Sequence, residues 1–261
     1  MKDIYFEIIE DKTLISPLEK EWRKSLTFPN DDYWEYVLSS CTYWAVKQGE
    51  EIIGYAGVNN NNVLLQFFVS AQWLEKGRLI LEKFLQEKEI KSARIETNNP
   101  VCLSLSMHFQ KSVVVDGYLF SDMTELVLEE KVGNFRMAEL EDLENLVDFS
   151  HRVLEAPKDW LTDYIGNLIK REEFFLFEKD NQIIGTCEVR TTAINENVAS
   201  LGIVVSPEYR RQGFGTYLLG KAKTIAKSRN KQAICGCSKD NIGSLKASSF
   251  LLSEAIHSFV K

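Results

Sequence analysis

Between Leu201 and Leu219 the chain passes from a β-branched apolar run, Leu201-Gly202-Ile203-Val204-Val205, through Ser206-Pro207-Glu208-Tyr209 into Arg210-Arg211-Gln212-Gly213-Phe214-Gly215-Thr216. The helix-forming Tyr217-Leu218-Leu219-Gly220-Lys221 follows. A basic, glycine-rich loop between a strand end and a helix start is an anion cradle. Glycines let backbone amides come close to a phosphate, and the helix N-terminus adds positive potential. Arg210 and Arg211 add charge-assisted, bidentate donors. Two other phosphate loops are excluded by spacing. A dinucleotide turn requires a third glycine where Leu218 stands, and a Walker loop requires Gly-Lys-Ser/Thr.

Other reactive residue types are sparse. Asn241, in Ser238-Lys239-Asp240-Asn241-Ile242-Gly243-Ser244, follows a strand-like stretch and precedes a helix, the position of a helix cap or of a ligand contact. Glu188 lies in a strand where alternation from Val189 turns it to the opposite face, either as a proton acceptor or as an ion-paired strand residue. Glu196 is a weaker acceptor on a loop. Cys235-Gly236-Cys237 has no paired cluster, and His108, His151 and His257 are isolated, so no metal site is expected. The basic run Lys221, Lys223, Lys227, Arg229, Lys231 reads as the solvent face of a helix or as a contact for a ligand phosphate.

The elements that position these residues occur twice. Trp44 to Val58 and Phe175 to Val189 both read strand, polar turn, Ile-Ile-Gly strand, at a constant offset of 131. Phe68-Val69-Ser70-Ala71 before Gly77 and Val204-Val205-Ser206-Pro207 before Gly213 match at an offset of 136, the extra residues falling in Thr191–Asn197. Asn99 and Asn241 each follow a strand. Met137–Val147 and Trp160–Ile169 carry apolar residues at helical spacing. The order is strand, two helices, three strands, helix, strand, helix, strand in each half. The division is expected after the strand-like Thr124–Leu128, giving domains of residues 1–131 and 132–261.

The 261 residues, 44% hydrophobic and 26% charged, describe a folded protein, and the net charge of −7 weighs against nucleic-acid and anionic-membrane partners. Five scattered cysteines read as reduced thiols in a cytoplasm. Neither a secretory signal nor a membrane-spanning run is read in the sequence.

The segment R-x-x-G-x-G after V-x-P resembles motif A of the GCN5-related N-acetyltransferase (GNAT) superfamily. The resemblance implies an α+β (mixed α/β) fold of two tandem GNAT-like domains, each a mostly antiparallel twisted sheet flanked by helices. It implies acetyl-CoA as co-substrate. The pyrophosphate would lie on Arg210, Arg211, Gln212, Gly213, Phe214, Gly215 and Thr216, and the pantetheine arm would run like an added strand along Ile203, Val204 and Val205. Asn241 and Ser244 would contact the cofactor. The implied reaction is direct attack of a neutral amine, on a small molecule or peptide, in a ternary complex, by a monomer or homodimer. Many members place a tyrosine seven residues after the asparagine as the acid for the departing thiolate; Ser248 stands there, and no acid stands near Gly236. Glu188 is the best candidate for the base, ahead of Glu196, and a base acting through ordered water stays open. The alternative is a non-catalytic acyl-CoA-binding or sensor protein on the same scaffold. In the first half Leu74 and Glu75 replace the basic pair and Leu79 the second glycine, so that half is expected to bind no acetyl-CoA. After the last helix only Ala255–Lys261 remains, one closing strand where the family has two; the other half, a second chain, or nothing supplies the second.

Overall fold

The computed structural model describes residues 3–121, 128–191, 195–251 and 254–260. The strand-like Thr124–Val127 and the loop residues Thr192–Ile194 lie outside them. The first half runs β1 (Ile4–Ile8), α1 (Ser16–Ser25), α2 (Asp32–Ser39), β2 (Thr42–Gln48), β3 (Glu51–Val58), β4 (Val63–Val69), α3 (Leu74–Glu87), β5 (Ser92–Glu96), α4 (Pro100–Ser106) and β6 (Val114–Ser121). The second runs β7 (Asn134–Met137), α5 (Leu143–Leu154), α6 (Lys158–Lys170), β8 (Phe174–Lys179), β9 (Gln182–Thr191), β10 (Val198–Val205), α7 (Phe214–Ser228), β11 (Gln232–Ser238), α8 (Ile242–Leu251) and β12 (Glu254–Val260). Both halves follow the same order, and the fold is mixed α+β with two sheets, each flanked by helices. One boundary differs from the helical spacing: Asn134–Met137 pairs with β8 as a strand, and α5 begins only at Leu143. Phe135 stacks on Phe175 (5.9 Å, 10°), and a reciprocal Glu139–Asp142 capping box starts the following turn.

The chain forms two compact units, Met1–Gly117 with Ile256–Lys261, and Tyr118–Ala255. The expected division at 131/132 falls between β6 and β7. The first unit's sheet has the order β1-β2-β3-β4-β5-β12, with Phe259 of β12 opposite Ile95 of β5 in an antiparallel pair. The second has the order β6-β11-β10-β9-β8-β7. Each unit is thus closed by a strand from the other half of the sequence, so the second closing strand of the later sheet comes from the other half.

The repeat extends to backbone irregularities. In β3, Val46 pairs with Gly54 and Lys47 with Ile52, leaving Ile53 as the extra residue of a bulge. In β9, Phe177 pairs with Gly185 and Glu178 with Ile183, leaving Ile184 extra. The extra residue's carbonyl accepts the N–H of the serine beyond the third hairpin strand: Ser70 to Ile53 and Ser206 to Ile184, both at 2.9 Å. The glycines permit the close approach this requires. A Cβ on Gly185 would stand 2.6 Å from the Val204 carbonyl oxygen and 2.7 Å from Leu218 Cδ1. Gly185→Val is therefore expected to destabilise the chain by about 3 kcal/mol, because backbone has to move; a urea melt checks it.

In the second unit Phe175, Phe177, Cys187, Val189 and Leu201 pack with α7, whereas Phe174 and Leu176 pack with α5 and α6. This alternation is the period-2 signature of a sheet covered on both faces. It sends Glu188 to the α5–α6 side.

Candidate functional site

β10 and β11 pair in parallel only at Val198↔Gln232, Ala199↔Ala233 and Ser200↔Ile234. Beyond Ser200 the strands part. Leu201–Val205 stays bonded to β9 through Val205↔Gly185, while its other edge has no β11 partner. Such an edge offers backbone donors and acceptors to an extended ligand. Ile203, Val204 and Val205 are half-buried along it.

The edge leads directly into the glycine loop. Ser206 is 2% exposed and its hydroxyl donates to the Glu208 carboxylate, fixing the exit from β10. Arg210 Nε donates to the Val205 carbonyl oxygen at 3.2 Å, and Gln212 Nε2 to that of Glu208 at 2.9 Å, so the loop is folded by its own bonds. Arg211 (φ 61°) and Gly213 (φ 82°) are left-handed. The turn at Gly213 reverses the chain into α7, and no side chain caps that helix or places an acid in its first turn. The amides of Phe214, Gly215 and Thr216 precede the first intrahelical bond, Tyr217 N–H to the Gly213 carbonyl oxygen at 3.0 Å, and so point outward unspent. Phe214 anchors the turn against Phe177 (5.6 Å) and Tyr209 (5.8 Å, edge-on). A Cβ on Gly213 would lie 3.3 Å from Lys131 Nζ, which places a third cation at the loop. Lys131 stands in the linker, far along the chain from the motif, and no local pattern announces it.

On the other side of the parted strands, Asn241 Oδ1 accepts the Ser244 N–H at 3.1 Å and caps α8, as Asn99 Oδ1 caps α4 through Cys102 N–H at 3.2 Å. The cap uses only the carbonyl of Asn241. Ser248 is 1% exposed, with its hydroxyl 3.3 Å from Cys235 Sγ. Its hydroxyl is therefore held in the interior rather than at the surface of the slot.

Glu188 lies opposite Gly202 in the β9–β10 pair, and a Cβ on Gly202 would stand 3.0 Å from Glu188 Oε2. That oxygen accepts from Tyr164 Oη at 2.7 Å and from an Arg190 guanidinium nitrogen at 2.6 Å; Arg190 also donates to Tyr164 Oη at 2.9 Å. Burial, and then the Glu188 charge, push the Tyr164 phenol well above its usual range. Trp160 stacks on Tyr164 at 4.8 Å. Of this trio Glu188 is legible in the sequence, but Tyr164 and Arg190 are not. Tyr164 sits on α6, 24 residues away, and no local pattern announces the contact. Lys221, from the basic run, is bound to Glu130 at 2.8 Å.

The first unit parts in the same way, its β4–β5 ladder stopping at Leu64↔Ala93. Its loop is different in kind. After Ser70 a single turn, Ala71–Trp73, runs straight into α3, whereas four residues, Arg210–Gly213, separate the equivalent turn from α7. The expected pairing of Gly77 with Gly213 and of Leu79 with Gly215 is corrected accordingly: Gly77 lies inside α3, packed against Leu105, and the cradle is missing rather than substituted. Glu75 stands in the helix's first turn.

Comparison with known proteins bears on the whole chain. The model of an acetyltransferase (GNAT) domain matches residues 11–123, and that of the acetyltransferase (GNAT) family matches residues 135–247. The chain belongs to the GNAT superfamily. It carries two GNAT domains in tandem. No protein among the curated sequences matches it. A GNAT-family acetyltransferase from Colwellia psychrerythraea shares the fold at a TM-score of 0.91 and 22% identity, covering 98% of this chain and 99% of that one. A GCN5-related N-acetyltransferase from Sphaerobacter thermophilus follows at 0.68 and 13%, covering 100% and 96%. A tandem GNAT protein from the clavulanic acid biosynthesis pathway gives 0.62 and 14%, covering 99% and 98%. Among the described residues of this GNAT chain, no helix is long and apolar enough to cross a membrane, and no cluster of three or more His, Cys, Asp or Glu is placed to hold a metal ion.

Proposed function

We propose that the second domain, residues 132–261, transfers the acetyl group of acetyl-CoA to an amine of a small molecule or peptide, and that the first, residues 1–131, binds no acetyl-CoA. One observation carries this reading: the unpaired edge of β10 and the outward amides of α7 are a single continuous segment, Leu201–Thr216. An extended amide-bearing chain ending in a diphosphate fits such a segment end to end. Gly213, Phe214, Gly215 and Thr216 give backbone N–H groups to the diphosphate. Arg210, Arg211, Gln212 and Lys131 give charge or polar donors, and Asn241 and Ser244 face it from the start of α8.

Acetyl-CoA supplies an activated thioester. The chain's own residues do the rest. A backbone N–H of the parted strand near Val205 polarises the thioester carbonyl. Glu188, steadied by Tyr164 and Arg190, takes the proton of the incoming ammonium directly or through one water. Ser248, enclosed beside Cys235, is the residue at the position of the usual acid, and its burial favours return of the thiolate proton from water.

Titration with acetyl-CoA, followed by a panel of amines with free CoA as the readout, tests the proposal. One acetyl-CoA per chain and amine-dependent CoA release are expected. Tight binding without release across the panel would instead mark an acyl-CoA sensor, the reading that the enclosed Ser248 favours. Glu188→Gln is expected to lower kcat about a hundredfold with little change in acetyl-CoA affinity. An unchanged kcat removes Glu188 as the base.

A further inference from the structure

One face of the first unit's sheet carries buried acceptors that its own residues leave without donors. Ile95 packs into the core beneath α3, which turns its strand neighbours Arg94 and Glu96, and Asn98 beyond them, toward α1 and α2. Asn98 is 1% exposed. Its amide nitrogen donates to the Phe28 carbonyl oxygen (2.9 Å) and to Asn30 Oδ1 (2.8 Å), while its own Oδ1 is buried with no donor among the described residues. Glu96 Oε2 is in the same condition. A buried acceptor without a donor is costly, and two such acceptors only two residues apart are uncommon in native proteins.

The surroundings select the kind of donor. Asn30 donates to Glu35 Oε1 at 3.1 Å, and Glu35 holds Arg23 through both oxygens at 2.7 and 2.9 Å. Asp31 caps α2, and Glu19 lies near Arg23, Lys12 and Glu35. Arg94 is engaged with Asp116 at 3.0 Å and lies 4.8 Å over the Trp34 ring. Five carboxyls, Glu19, Asp31, Glu35, Glu96 and Asp116, thus accompany the three cations Lys12, Arg23 and Arg94 on this side. Burial first, and then the Asp31 charge, raise the Glu96 carboxyl to about 8, with Arg94 opposing and Glu35 adding. A cation with N–H groups would supply what both oxygens lack and let Glu96 ionise.

We propose that the first unit binds a small organic ammonium ion, its N–H groups taken by Glu96 Oε2 and Asn98 Oδ1. This does not rest on the transfer reading: it concerns the other unit and a different ligand.

Calorimetric titration of the whole protein with propylammonium chloride, in two buffers of different ionisation heat, tests it. Glu96 is largely protonated at pH 7, so saturable binding is expected to release about 0.9 proton per ligand. Affinity should rise nearly tenfold from pH 6 to pH 7 and level off above pH 8. Tetramethylammonium, a cation without N–H groups, should bind at least tenfold more weakly. Glu96→Gln copies the shape of the protonated acid and so keeps the fold; it should lose the pH slope and at least tenfold in affinity. Absence of saturable uptake, as when ordered water already serves both oxygens, overturns the proposal. So does binding without proton release, equal binding of tetramethylammonium, or unchanged binding by Glu96→Gln.

Discussion

Gly215→Leu is expected to lower acetyl-CoA affinity at least a hundredfold while leaving the thermal midpoint nearly unchanged. A Cβ at this position would lie 3.6 Å from Ile203 Cδ1 and 3.9 Å from Val205 Cγ2, ordinary van der Waals distances. The first carbon therefore fits. The rest of a leucine side chain has to extend into the space along the parted edge of β10, where the proposed pantetheine arm turns into the diphosphate. Gly215 also contributes one of the unspent amides of α7, and a bulky side chain keeps a phosphate oxygen at a distance from it. Gly213 is a less clean test, because its left-handed conformation makes any replacement costly to the fold itself, by about 1–2 kcal/mol. Isothermal titration of the native and Gly215→Leu proteins decides the matter. Undiminished affinity would place the diphosphate elsewhere.

The second large effect is on stability. The Glu96 carboxyl, raised from its ordinary 4.5 to about 8, keeps its proton in the folded chain over a range in which the unfolded chain has lost it. A raised folded-state value means that the contribution is complete below pH 4.5, fades as pH rises through the window, and is gone above about 8. At about 1.4 kcal/mol per unit, and allowing for relaxation of the surroundings when the carboxyl ionises, the native protein should lose about 3 kcal/mol between pH 5 and pH 8 through this one group. Glu96→Gln should not lose it. Urea midpoints for both proteins at the two pH values isolate the effect, since every other titrating group contributes to both. Parallel slopes would show that the carboxyl is ionised in the folded state.

Much of this architecture was legible because its determinants are local. The hairpins at Gly49-Glu50 and Asp180-Asn181 are written in two residues each, and the left-handed Asp180 and Asn181 are the conformations such turns require. The loop from Arg210 to Thr216 is likewise specified by its own glycines and cations, and Asn99 and Asn241 cap the helices they precede. What escaped the sequence depends on distance. Tyr164, Arg190 and Glu188 meet only because α6 lies over β9. Lys131 reaches the loop from a linker. The unsatisfied acceptors Glu96 and Asn98 look like ordinary residues at the end of a strand until α2 closes over them. Gly77 and Gly213 differ for another reason: the loop before α3 is four residues shorter than the loop before α7, so like residues stand at different helix positions.

The exchange of β6 and β12 bears on how the protein is made. The unit built mainly from the earlier residues cannot close its sheet until residues 258–260 have left the ribosome, although most of it is synthesised first. β5 would meanwhile present a bare edge to solvent, while the later unit already holds its borrowed strand. Truncation after Leu251 would accordingly injure the unit that is remote in sequence, by removing the partner of β5.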